Sequence, residues 1–147
     1  MIPPFTSDGL LPPGIHWATW EEFVDRFGIT SHRNRLLSGL YSGLESLASA
    51  GCRTAYIDGS FVTDKEIPGD FDACWDWTGV DPTKLDPVLL DFDNFRAAQK
   101  AKYEGEFFPA QAEAIDTPPF TRFLDFFQED ESSGNPKGII AIDLTRW

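Results

Sequence analysis

The stretch YIDGSFVTDKEIPGDFDACWD, residues 56–76, decides how the chain is read. A short strand-like run ends at Asp58 and a Gly59–Ser60 turn follows. Nine residues then separate the turn from Asp70, with Asp72 two further on. Side chains two apart on a strand share one face, roughly 6–7 Å apart. A strand over residues 70–77 therefore projects Asp70 and Asp72 together and turns Phe71, Ala73, Trp75 and Trp77 toward a core. Asp76 shares the acidic face but lies roughly 13 Å beyond Asp72, too far to join the pair. A turn between strands with an acidic, solvated surface accounts for the same residues without any chemistry.

The chemical account is a phosphate cradle beside a divalent-metal site. Glycine lets backbone approach a phosphate closely, while a serine hydroxyl and exposed N–H groups donate to it. Lys65 is near enough in sequence to add a positive charge. Paired carboxylates can bridge two metal ions held about 3.5–4 Å apart, and Mg²⁺ takes a few carboxylates plus substrate phosphates. A third carboxylate is expected from Asp143, on the face of Ile139 and Ala141 in the last strand. That requires the last strand to lie beside the Asp70–Asp72 strand.

Working outward, residues 1–18 carry Pro3, Pro4, Pro12 and Pro13 and read as an extended arm, laid on the domain or loose in solvent. Residues 19–147 read as a single domain. Thr19 and Glu22 form a capping box for a short helix ending at Gly28. Leu36, Leu37, Leu40, Tyr41, Leu44, Leu47 and Ala48 recur at three- and four-residue intervals, which predicts a helix capped by Ser31 and closed by Gly51. Arg33 and Arg35 on that helix read as surface residues. Residues 53–58 form a strand. Residues 83–116 hold a short helix and then an edge strand or loop. TPPFTRFLDFFQED, residues 117–130, predicts a helix with Thr117 as cap and Pro118 at its first position. IIAIDL, residues 139–144, is the last strand. The fold class is α+β, a small mixed or antiparallel sheet with helices on one face.

The bulk properties exclude several functions. The chain has 147 residues, enough for one domain with a real core, and 41% of them are hydrophobic. No apolar run is long enough to span a bilayer and no signal peptide opens the chain, so the cytoplasm is expected. Cys52 and Cys74 are too few for a disulfide framework or a zinc site and read as small buried hydrophobes. His16 and His32 have no ligand partner at metal-binding spacing and read as surface or cap residues. A net charge of −12 repels nucleic acid and suits a basic protein partner or carboxylates gathered around cations.

Gly59–Ser60, the spacer and Asp70-Phe71-Asp72, with a helix and strand before and a late strand carrying Asp143, resemble the DNA polymerase β-like nucleotidyltransferase superfamily. LPPGIHWATWEEFVDRFG (residues 11–28) and residues 59–76 resemble, more narrowly, a bacterial family of small nucleotidyltransferase-like proteins. The resemblance implies transfer of a nucleoside monophosphate from an NTP with two Mg²⁺ ions. Asp70, Asp72 and Asp143 would hold the metals and activate the attacking hydroxyl, and Gly59, Ser60 and Lys65 would grip the triphosphate. Small members resemble the antitoxin half of toxin–antitoxin pairs, which implies a protein partner, a toxin among the candidates, or a homodimer that completes the acceptor wall.

Three positions depart from that pattern. Thr63 and Asp64 stand where an arginine and a glycine are usual, and Asp58 stands where an apolar or aromatic residue is common. Beside a triphosphate the Asp58 charge would weaken binding unless a metal or Lys65 offsets it; as a turn residue it needs no further role. The intact Gly-Ser and Asp-Phe-Asp favour an enzyme, whereas the departures favour a non-catalytic binding module acting through its acidic surface.

Overall fold

A computed structural model describes residues 1–147. Strand β1 (Gly14–Ala18) leads into helices α1 (Trp20–Phe27) and α2 (Ser31–Ser49), then β2 (Thr54–Asp58) and β3 (Phe71–Trp75). Helix α3 (Asp93–Tyr103) precedes β4 (Gly105–Pro109). A small hairpin of β5 (Glu113–Ile115) and β6 (Thr121–Arg122), a single-turn α4 (Phe123–Phe126) and β7 (Gly138–Asp143) complete the chain. The main sheet has five strands in the order β1-β7-β2-β3-β4. β1 runs parallel to β7 and β3 parallel to β4, while β2 is antiparallel to both its neighbours. The fold is thus α+β with a mixed sheet.

Alternation along the strands sorts two faces. Ala55, Ile57, Phe71, Ala73, Trp75, Phe107, Ile140 and Ile142 enter the core with Leu36, Leu40, Leu44 and Leu47 of α2 and Phe23 and Phe27 of α1. Tyr103 of α3 packs edge-on against Phe107, so α1, α2 and α3 all cover this face. Close contact between α2 and β4 depends on Gly43, where a Cβ would stand 2.3 Å from the Phe107 ring. The other face carries Asp58, Asp72, Cys74, Glu106 and Phe108. Beyond Phe108 it is roofed by α4, whose Phe123 stacks on Phe108 at 4.4 Å between ring centroids. Helices therefore lie on one face as expected, apart from this single turn.

Several local expectations hold and several are corrected. The Thr19–Glu22 capping box is formed in both directions. Thr30, not Ser31, caps α2, because Ser31 is already inside the helix. The arm is laid on the domain: Leu11 is buried, Arg26 donates to the Pro3 carbonyl at 2.9 Å, and residues 14–18 are the edge strand itself. The expected helix over residues 117–130 shrinks to one turn, since Pro119 lacks an amide donor and Thr121 and Arg122 pair with β5 instead. Tyr41 and Trp77 are half-exposed rather than core, and Cys52 and Cys74 are free and buried. No helix is long and apolar enough to cross a membrane.

Candidate functional site

β2 and β3 set Asp58 directly opposite Asp72, and parallel pairing sets Glu106 of β4 beside Asp72 on the other side. Asp70 stands two residues before Asp72 and points the same way. One carboxylate oxygen each from Asp70, Asp72 and Glu106 lies within 4.8 Å of the others. The cluster floors an open cleft of about 1270 Å³ that Gly59, Ser60, Lys65, Arg96 and Lys137 also line. Asp70, Asp72, Gly59, Ser60 and Lys65 are therefore brought together.

Asp143 is not brought to this site. It lies on the predicted face, but β7 pairs with β2 rather than β3, in a register that sets Asp143 level with Thr54 while Asp72 is level with Asp58. Four residues of β2 separate those two rows, roughly 13 Å, and two strand spacings add about 10 Å across the sheet. Its Oδ1 instead accepts from the Thr145 amide and hydroxyl at 2.9 and 2.6 Å. The β7 position level with Asp58 is Ile139, one step beyond the Ile57–Ile140 pair. Asp76 is likewise occupied elsewhere, accepting from Gln111 at 2.5 Å and Thr78 at 2.9 Å.

Glu106 takes the place expected for Asp143, and the sequence carried a signal for it. In GEFFP the residues alternate, so Glu106 and Phe108 share a face opposite Phe107. A helix leading from β3 into the next strand makes a crossover, which tends to set that strand beside β3 and parallel to it.

The electrostatics are strained by crowding. Burial first, then Asp70 and Glu106, push Asp72 up to about 7, with Lys137 and Arg96 opposing. Burial and then Glu106 raise Asp70, opposed by Lys100 and Arg96. Asp58 is fully buried, and burial followed by the Asp72 charge raises it well above the ordinary carboxylate range. Its Oδ2 accepts a weak bond from the Cys74 thiol at 3.7 Å, and its Oδ1 has no hydrogen-bond partner. Glu106 is held by Arg96 and Lys100, each at 3.1 Å. Asn94, Phe95 and Arg96, which deliver that guanidinium, all adopt left-handed backbone with φ of 53°, 56° and 61°. Such a run of non-glycine residues is rare and costly, and strain of this kind gathers at functional sites.

The Gly-Ser loop is shaped from beneath. Gly59 has φ +78°, and a Cβ there would come within 2.4 Å of the Asp72 carboxylate, so only glycine lets loop and carboxylate coexist. Thr63 closes the turn by donating its hydroxyl to the Ser60 carbonyl at 2.6 Å. The Asp64 amide donates to Gly9 at 3.0 Å. Thr63 and Asp64, departures from the expected pattern, thus build the loop. Arg33, expected on the surface, is 2% exposed and has no carboxylate partner. Its guanidinium donates to the carbonyls of Phe61 (2.7 Å), Thr63 (3.1 Å), Lys65 (2.5 Å) and Phe27 (3.5 Å). Its position on the Leu36–Leu40 stripe of α2 was the available signal. His32 reaches the same loop, with its Nε2 2.5 Å from the Pro68 carbonyl oxygen.

The donor set is entirely carboxylate oxygen, the type that hard divalent cations take. Asp58 keeps one buried oxygen without a hydrogen-bond partner, and burial with the Asp70 and Glu106 carboxylates raises Asp72, as expected where acidic groups crowd with too little counter-charge. These residues fit a divalent cation.

Residues 3–143 match the profile of a family of unknown function, DUF6932, and the chain belongs to that family. Comparison with curated proteins and with solved structures finds no match.

Proposed function

We propose that the chain is a metal-dependent nucleotidyltransferase of the DNA polymerase β-like kind, moving a nucleoside monophosphate from an NTP to a partner protein or small acceptor. The observation that carries this reading is the convergence of Asp70, Asp72 and Glu106 beside the Gly59–Ser60 turn in one cleft. Those three carboxylates would hold Mg²⁺, two ions in the full site. Bound there, Mg²⁺ supplies charge neutralisation on the phosphates and a more acidic attacking hydroxyl. Gly59 and Ser60 present backbone and hydroxyl to the triphosphate, and Lys65, Arg96 and Lys137 offset its charge from the cleft walls. Arg96 and Lys100, which pair with Glu106, would be available to phosphate were a cation to take that carboxylate.

Titration calorimetry of ATP and GTP with Mg²⁺ tests the reading on the wild type, Asp70→Asn/Asp72→Asn and Glu106→Gln. The expected result is Mg²⁺-dependent binding in the wild type, lost in the double variant and weakened at least tenfold in Glu106→Gln. Absence of binding to either nucleotide overturns it.

A second reading is a non-catalytic nucleotidyltransferase-like antitoxin or binding module that acts on a basic protein partner, such as a toxin. The double ion pair that occupies Glu106 favours it. Retention of partner binding by Asp70→Asn/Asp72→Asn would separate this role from catalysis.

A further inference from the structure

We propose that the phenylalanine wall of the cleft is the seat of the nucleobase, and that the preferred base is a purine; this rests on the nucleotide reading above. The wall starts on the strand that carries the third carboxylate. Phe108 stands two residues past Glu106 on the same face, one side-chain spacing of roughly 7 Å along β4. Phe123 stacks on it, Phe127 follows Phe123 at 6.0 Å, and Phe126 meets Phe127 edge-on at 5.3 Å. Phe123, Phe126 and Phe127 line the same cleft as Asp70 and Asp72, and none belongs to the hydrophobic core. Phe126 is 38% exposed and lines the acidic cleft, packing edge-on against Phe127 while leaving part of its ring open.

One cleft holds both kinds of surface, the carboxylates with the Gly59–Ser60 turn and the aromatic rings, and Arg96 bridges them, paired with Glu106 and 5.4 Å from the Phe108 ring centroid. A triphosphate and its metals would take the first surface, and a base gains by stacking on the second, worth roughly tenfold or more in affinity for one good base–aromatic contact. Glu129 and Glu131, on the segment following α4, line the cleft too. Carboxylates only accept hydrogen bonds at neutral pH. They match the amino groups of adenine, guanine and cytosine and disfavour uracil, which has none. The purine preference therefore rests on ring size, the larger ring face of a purine.

The test compares three probes in the presence of Mg²⁺, namely ATP, UTP and inorganic tripolyphosphate, by calorimetry on the full chain. ATP is expected to bind about tenfold or more tighter than tripolyphosphate, with UTP between them. Phe126→Ala is expected to remove most of the ATP advantage and leave tripolyphosphate affinity unchanged, while Phe126→Trp retains the advantage. Equal affinity of the wild type for ATP and tripolyphosphate overturns the base seat while leaving the phosphate and metal site standing, and that arm needs no variant. UTP binding as tightly as ATP overturns the purine preference. Unchanged ATP binding in Phe126→Ala overturns the role of the wall. Failure of all three probes to bind brings down the nucleotide reading itself.

Discussion

The two faces of the main sheet are built from alternate residues of the same strands and follow opposite rules. Facing α1, α2 and α3, Ile57, Phe71, Phe107 and Ile140 are fully buried and belong to one hydrophobic cluster. One residue away along each of β2, β3 and β4, Asp58, Asp72 and Glu106 are packed against one another, with buried charge compensated only in part. A folding sequence gains nothing from the second arrangement. Like carboxylates at neighbouring strand positions are destabilising, and a buried polar atom without a partner costs further. The core face holds the fold, and the acidic face is carried at the expense of that stability.

The comparison breaks first on the core side. Phe107 is fully buried, packs edge-on against Phe71 and Tyr103, and fills the space above Gly43. Phe107→Ala should cost about 4 kcal/mol, the loss of a large buried ring plus the cavity it leaves. Urea unfolding monitored by circular dichroism measures this. A cost under about 1 kcal/mol would mean that this face is not the source of stability.

Asp72 sharpens the contrast with the opposite sign. Its folded pKa is raised to about 7, above the ordinary value of 3.8. Between those values the unfolded chain has released a proton that the folded chain still holds. Stability of the protein without metal therefore falls as pH rises through that window, by a total on the order of 4 kcal/mol, and the loss is complete about one unit above the folded value. Thermal unfolding in EDTA from pH 4.5 to 8.5 should show this fall in the wild type and a flatter profile in Asp72→Asn. Added Mg²⁺ should restore the wild type and leave Asp72→Asn unmoved. A wild-type profile that rises across the window contradicts the assignment.

How much of this was legible follows from the range of the interactions. β2, the Gly59–Ser60 turn and β3 lie within one short stretch, and alternation alone sorts Asp70 and Asp72 from Phe71 and Ala73. Glu106 and Asp143 could not be ranked that way. Each sits on the acidic face of a strand, and the choice depends on which strand pairs with β3, a long-range outcome that alternation does not encode. The crossover through α3 favours β4, whereas a match to a superfamily pattern pointed to the late Asp143. The helix expected over residues 117–130 failed for a related reason. Phe120, Phe123 and Phe127 have helical spacing, but the rings of 123 and 127 are held by Phe108 across the sheet rather than by a helix groove. Arg33 was misread because charge suggested solvent, although its position on α2 belongs to the buried stripe.

Arg33 links the two faces and makes the third test. It is buried among core residues, its guanidinium 4.9 Å from the Phe61 ring centroid, yet three of its four guanidinium hydrogen bonds go to the loop of the acidic face, the fourth and longest to Phe27 of α1. Arg33→Gln should cost about 2 kcal/mol, since several carbonyls lose a charged donor at once. Amide hydrogen exchange should quicken over residues 61–65 well beyond any change in β2 and β7. Uniform acceleration across the sheet would make Arg33 an ordinary core residue rather than the support of the loop.

The smallest effect is the most local. Phe95 is 80% exposed and held at φ 56° between two other left-handed residues, so its side chain contributes little while its backbone is strained. A left-handed conformation costs an ordinary residue roughly 1–2 kcal/mol. Glycine avoids that cost but surrenders part of the gain to its greater freedom in the unfolded chain. Phe95→Gly should therefore stabilise the protein by about 0.5 kcal/mol. Its more telling readout is Mg²⁺ affinity. Arg96 reaches Glu106 only through this turn, and the two cations at Glu106 compete with any metal for the same carboxylate. A strained turn that serves to hold Arg96 in place should loosen its grip on Glu106 once residue 95 is glycine, and Mg²⁺ should then bind slightly tighter. A destabilised Phe95→Gly variant would instead show that the exposed ring, and not the backbone, is what the acidic face requires at residue 95.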